Sequence, residues 1–379
     1  MTETNRNNPR TDTTGTGDIE HLQEVHLVHG GLDFLDNSVV MGWRNRNLNG
    51  NRVVDQLVCL FEDAGSWRVE IDPHSVTIRE KPYVIDPRSY PPFILERWSL
   101  DQLKQFIRSP EAPKGDNLLS KLVGTICNYL DFPSDGIYYL LPIWAIGTYL
   151  TPRFPAFPFL HFLGPKETGK TKVLELLSFL SNNPSKVKTL TVPALGDTME
   201  GMRGTLLVDQ AESLPTELVG ILSDSYKKSG GQRRVVHFIN GRRTVLNFST
   251  YGPKAFASTK RLADDLQDRC CIIRMIRSSS SLPDLEGWEP EWPKLRDQII
   301  RWVLLNHQNV TRHFSQLPPT GTRLGELWRP LKSILLALDV GEYILRDTYE
   351  VFQAGTRETR SELSDMEDAL FQVVLDLST

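Results

Sequence analysis

The stretch "FLGPKETGKT", Phe162 to Thr171, constrains this chain more than any other. It fits the pattern G-x-x-x-x-G-K-[ST]. The apolar run "FLHFL" before it and the periodic "KVLELLSFL" after it place the glycine-rich turn between a strand and a helix. Each residue type has a physical reason to be there. Gly164 and Gly169 permit the turn. The backbone through Pro165, Lys166, Glu167 and Thr168 and the start of the helix, including Lys172, can face phosphate oxygens. Lys170 can reach the β and γ oxygens, and Thr171 can ligate Mg²⁺. ATP and Mg²⁺ are the expected cofactors.

A second stretch complements the first. "GTLLVDQAE" reads as a strand ending in Asp209, which puts a carboxylate at the sheet edge where open α/β folds bind ligands. Asp209 is expected to support the metal. Gln210 follows it. A carboxylate can orient and deprotonate an attacking water, whereas an amide can only orient it, so slow hydrolysis with intact Mg-ATP binding is expected. Glu212 is expected on the same strand face as Gln210, should the strand run that far. Further on, "KAFAST" reads as a strand that ends with Ser258 and Thr259 beside the γ-phosphate, where either could sense it. "RLADDLQDRC" carries Arg269 just before the last strand. That arginine could reach a neighbouring subunit's nucleotide, or pair with Asp264 or Asp265.

From Pro158 onward strands alternate with helices, which indicates a parallel sheet covered on both faces. The helix expected at "PTELVGILSDSYKK" is followed by "RRVVHFINGRRTVLNF", two β runs about Asn240-Gly241, a type I′ hairpin signal. Ahead of this core, residues 22–98 read as a small β-rich module and 99–156 as a helical segment. Ser99 lies three before Gln102 at capping-box spacing, and the apolar positions 118, 119, 122, 123, 126 and 130 form one helical face. The core is expected over 157–280 and a helical lid over 281–379. The polar residues 1–21 are expected to be disordered. The fold class is therefore α/β, a parallel sheet carrying the glycine-rich loop and followed by helices, preceded by the β-rich module and helical segment.

Composition restricts the partners. The formal charge is −4 with 40% apolar and 24% charged residues, so any nucleic-acid contact must come from local charge. Ser225 to Ala263 supplies it, with nine Lys/Arg and no Asp or Glu. Lys227, Lys228, Arg233, Arg234, Arg242 and Arg243 lie at or near the hairpin and suit phosphate-backbone contact without sequence readout; a solvated hairpin paired with acidic neighbours is the other reading. The run Gly136–Leu150 holds 15 residues with Pro142 inside it, short of the roughly 20 that span a bilayer, and reads as buried helix. Cys59, Cys127, Cys270 and Cys271 lack metal-ligand spacing and are expected as buried free thiols in a reducing cytoplasm.

Taken together, the run from about Asn117 to Leu338 resembles the P-loop ATPase domain of primase–helicase and replication proteins of prokaryotic plasmids, viruses and integrative elements, among the AAA+ and superfamily-three-helicase-like ATPases. The carrying residues are "NYLDFPSDGIYYLLPIWAIGTYL", "GPKETGKT", "GTLLVDQAE", "PKAFASTKRLADDLQDRC" and "ELWRPLKSILLALD". "DRC" at Asp268–Cys270 is also similar to the arginine-finger motif of clamp-loader ATPases. The resemblance implies a P-loop AAA+-like core with a helical lid, ring or hexameric homo-oligomers, ATP-driven movement on single-stranded or forked DNA, and a DNA-gripping hairpin at Arg242 and Arg243. The chain departs from the family at Gln210, where glutamate is usual, and shows no primase domain. An ATP-bound assembly scaffold or loader is the alternative function. Arg329 could touch the nucleotide from the lid or pair with Glu326.

Overall fold

The computed structural model describes residues 26–35, 37–49, 52–63, 65–89, 98–239, 242–278, 281–287 and 289–357, with side chains described outside 47–54 and 235–246. The segment expected to be disordered, 1–21, lies outside these residues, as does the Asn240-Gly241 turn.

The N-terminal module contains β1 (His26–Val28), β2 (Leu32–Leu35), β3 (Ser38–Asn49), β4 (Arg52–Asp63), β5 (Ser66–Ile71), β6 (Ser75–Ile78) and β7 (Lys81–Ile85). β2 to β5 form an antiparallel sheet in chain order; a smaller sheet runs β1-β7-β6. Alternation along β3 explains why the module does not stand apart. Val40 faces inward to a small cluster with Val28, Phe61, Val76 and Ile78. Val39, Met41 and Trp43 point the other way and join the main core of the molecule. Trp43 meets Trp98 edge-on, with centroids 6.1 Å apart. Charged groups complete the junction. Arg203 pairs with Asp33 at 2.8 Å, and Arg88 pairs with Glu200 at 3.2 Å.

The helical segment follows: α1 (Leu100–Arg108), α2 (Gly115–Tyr129) and α3 (Asp135–Thr148). Ser99 and Gln102 form the expected capping box on α1. The apolar face of α2 is buried at Leu118, Leu119, Leu122 and Ile126. The run expected as buried helix is α3, continuous through Pro142. Among the described residues, no helix is long and apolar enough to cross a membrane.

The core comprises β8 (Phe159–Leu163), α4 (Lys170–Leu180), β9 (Pro184–Val187), α5 (Val192–Gly196), β10 (Thr205–Asp209), α6 (Thr216–Asp224), the β11 (Gln232–Ile239) and β12 (Arg242–Ser249) ribbon, β13 (Lys254–Ser258), α7 (Asp264–Gln267) and β14 (Cys270–Arg274). Five strands make one all-parallel sheet in the order β14-β8-β13-β10-β9. β8, β10 and β13 are buried along their whole length, as a sheet with helices on both faces requires. β9 carries no apolar run, and its Pro184 is tolerated because it opens an edge strand. In the ribbon, Ile239 pairs with Arg242, which leaves two residues between the strands.

α8 (Glu291–Gln316), α9 (Arg323–Leu338) and α10 (Glu342–Arg357) close the described chain. They pack against α2, α3, α4 and β14, contributing Trp292, Ile299, Trp302, Leu331, Leu335 and Phe352 to the same core. Arg329 gives its guanidinium to the Phe314 carbonyl at 2.7 Å and lies over the Phe314 ring rather than pairing with Glu326. Three of the four cysteines are buried free thiols; Cys127 departs from expectation and is exposed.

Because Trp43 belongs to the main core, Trp43→Ala should destabilise the whole molecule by about 3–5 kcal/mol. Urea denaturation followed by both far-UV circular dichroism and tryptophan fluorescence should show one shifted transition; a separate early transition for the module would contradict this packing.

Candidate functional site

The loop between β8 and α4 has the form its residues dictate. Gly169 adopts φ 84°, ψ 6° and caps α4, in a region that only glycine enters freely. Gly164 is needed for a different reason: a Cβ there would collide with the Met275 carbonyl oxygen. Thr168 gives its hydroxyl to the Pro165 carbonyl at 2.9 Å, so the loop is braced from inside. Lys170, 9% exposed, donates to the Pro165 carbonyl and lies 3.4 Å from the Thr168 hydroxyl. Burial pushes its ammonium pKa below the ordinary lysine value, while the charges of Glu212 and Asp209 pull it up.

Across the loop stands the end of β10. Thr171, the second residue of α4, donates its hydroxyl to Asp209 Oδ2 at 3.0 Å. Asp209 Oδ1 accepts from the Gln210 amide at 3.1 Å. This hydroxyl–carboxylate pair supplies two hard oxygens to one point. That suits a small divalent cation, which takes its other ligands from water and phosphate. The donor set therefore fits Mg²⁺, with the loop amides and Lys170 fitting the phosphates it would carry.

Beyond Asp209 the structure differs from the sequence expectation. The strand stops there. Gln210 turns into the left-handed region at φ 60°, ψ 46°, and Ala211–Ser213 forms a single tight helical turn. Glu212 therefore does not share a strand face with Gln210. It accepts instead from the Thr259 hydroxyl at 2.9 Å. A cavity of about 440 Å³ brings Lys166, Glu167, Thr168, Gly169, Lys170, Thr171, Lys172, Asp209, Gln210, Glu212, Ser258 and Thr259 together. No described residue of α8, α9 or α10 lines it.

Ser258 and Thr259 separate. The Ser258 hydroxyl donates to the Lys260 carbonyl at 2.6 Å and meets His161 Nε2 at 2.6 Å, so it is committed to the sheet interior. Thr259 turns its hydroxyl to the other side, where it donates to Glu212 at 2.9 Å. Arg269 lies away from the cavity. Its Nε donates to the Ser223 carbonyl at 3.0 Å, and its guanidinium lies 5.6 Å from the Tyr226 ring and 4.0 Å from Asp268 rather than against Asp264 or Asp265.

The basic segment divides likewise. Lys227 pairs with Glu326, Lys228 donates to the Pro152 carbonyl, and Arg233 pairs with Glu217 at 2.9 Å. Arg234 is exposed on β11. Arg242 and Arg243 open β12 at the far end of the ribbon, where only the backbone is described.

No family model matches the chain, and no curated protein does either. Among solved structures, the A-form apo structure of the NrS-1 C-terminal region aligns at 12% identity and TM-score 0.32, covering 89% of this chain and 77% of that one. A second apo structure of the NrS-1 C-terminal region aligns at 12% identity and TM-score 0.30, covering 87% and 74%. The X-ray structure of JCV helicase aligns at 13% identity and TM-score 0.23, covering 67% and 76%. Likeness at these scores carries no argument; the reading of the site rests on its geometry.

The depressed Lys170 pKa has a consequence for stability. The unfolded chain holds this proton more tightly than the fold does, so the ammonium opposes folding at neutral pH, and the penalty fades as pH rises through the folded-state value. Lys170→Met should therefore raise the stability of the protein near neutral pH, and thermal melts over a pH series should show that advantage shrinking as pH rises toward the ordinary lysine value.

Proposed function

We propose that the protein is an ATP- and Mg²⁺-binding, DNA-engaging ring ATPase, a helicase or helicase-like replication protein of a mobile element, with slow turnover. The observation that carries this reading is the 3.0 Å contact between Thr171 and Asp209, which joins the glycine-rich loop after β8 to the carboxylate at the end of β10, across the intervening β13. Thr171 and Asp209 would hold the metal, and Lys170 with the amides of residues 166–171 would hold the phosphates. When bound, Mg-ATP supplies a phosphoanhydride whose terminal phosphoryl group can pass to water.

Glu212 takes the role of base in this reading. Its carboxylate stands in the cavity with Lys170 and Asp209 and can receive the proton of an attacking water, while Thr259 holds its other side. Gln210, at the position next to Asp209, has an amide that orients and does not deprotonate. Arg269 would serve a neighbouring subunit, and Arg242 and Arg243 would meet the DNA backbone. The absence of a carboxylate at position 210 favours a second reading, in which bound ATP holds an assembly scaffold or loader together without being hydrolysed.

Two assays separate these readings. Wild-type protein should bind Mg-ATP and turn it over slowly. Glu212→Gln should leave binding intact and cut turnover about a hundredfold, whereas Gln210→Ala should change it far less. Binding without measurable turnover would favour the scaffold. The Arg242→Ala/Arg243→Ala double variant should weaken single-stranded DNA binding and reduce the slope of log affinity against log salt by about two; unchanged affinity removes the hairpin from the DNA site. Mass measurement with and without ATP and DNA tests the ring.

A further inference from the structure

The interior strand β8 is apolar except for one residue, His161, which is wholly buried. Its hydrogen bonds fix its protonation. Ser258 has a single hydroxyl proton, and the Lys260 carbonyl at 2.6 Å can only accept it. The 2.6 Å contact between Ser258 and His161 must therefore be donated by His161 Nε2. Burial holds the imidazole neutral, with its pKa pushed down to about 3 against an upward pull from Gln267. Gln267, on α7, in turn accepts from the Leu262 amide at 3.1 Å.

The Ser258 bond ties β8 to β13 through one ring; α7 lies beside it with Gln267, although neither Gln267 Nε2 nor His161 Nδ1 has a hydrogen-bond partner. β8 runs directly into Gly164 and the phosphate loop. β13 ends at Ser258, next to Thr259. α7 precedes Arg269. The loop 259–263 is thus anchored at Lys260 through Ser258 and at Leu262 through Gln267. Its first residue, Thr259, is the one that meets Glu212 at 2.9 Å. A buried hydroxyl and imidazole cost stability unless they are hydrogen-bonded; bonded to each other here, they fix the direction in which β13 hands over to Thr259.

We infer that His161, acting through Ser258, is a positioning residue for the proposed ATPase: it fixes the loop 259–263 so that Thr259 orients the Glu212 carboxylate. The inference rests on the ATPase reading. It assigns His161 and Ser258 no contact with nucleotide, and so separates binding from turnover.

The test is steady-state and single-turnover ATP hydrolysis alongside Mg-ATP affinity, for Ser258→Ala, His161→Leu, His161→Gln and the Ser258→Ala/His161→Leu double variant. Ser258→Ala removes one oxygen and is the variant best able to fold. It should keep Mg-ATP affinity within about twofold and lower kcat about tenfold. His161→Leu should do the same, and the double variant should be no slower than either single one, because both break one link. His161→Gln keeps an N–H donor and should recover part of the rate. Amide hydrogen exchange should quicken at residues 259–263 in Ser258→Ala. Wild-type turnover together with an unchanged kcat in Ser258→Ala overturns this inference and leaves the ATPase reading standing. A wild-type protein that binds no Mg-ATP, or binds it without turnover even in a single-turnover assay, overturns both.

Discussion

Strand β8 is hydrogen-bonded along both edges, to β13 and to β14, and buried on both faces. The rest of the molecule is arranged around that enclosure. A strand with no open side cannot shift register without breaking two ladders at once. The turn at its carboxyl end, Gly164 to Thr171, therefore leaves the sheet from a fixed point. Asp209 leaves from an equally fixed point on β10, one strand beyond β13. The Thr171–Asp209 contact is a meeting of two rigid supports, and it needs no loop to fold around a ligand first.

What could be read in the sequence was the part governed by local rules. The glycine-rich loop declared itself because glycines at 164 and 169 and a lysine and threonine at 170 and 171 have a geometric meaning within ten residues. Asn240-Gly241 announced the ribbon, whose ladder runs to Ile239 and Arg242. The capping box at Ser99 and the apolar face of α2 behaved as their spacing required. The parallel sheet followed from alternation of strands and helices.

The remainder depended on tertiary context. In a strand buried on both faces, alternation carries no information, so nothing in "KAFAST" distinguished Ser258, turned inward to His161, from Thr259, turned to Glu212. The left-handed turn at Gln210 gave no warning either, since glutamine has no preference for it. Yet that turn separates Glu212 from the strand and brings it to Thr259. The C-terminal helices were amphipathic without saying which elements they would cover; their packing on α3 and β14 depends on tertiary context. One signal was present and unused: a single histidine inside the otherwise apolar "FLHFL".

The strand order also has a bearing on how the chain reaches this state. β8 lies between partners that follow it by roughly a hundred residues, at Lys254–Ser258 and Cys270–Arg274. During synthesis its apolar residues leave the ribosome well before either partner exists. Neither ladder can close until the β11–β12 ribbon has been made and passed over. Folding of the sheet is therefore governed by closure of long loops, which is slow, and the waiting strand is exposed to other chains throughout. The enclosure that makes the site rigid at equilibrium makes its assembly a late event.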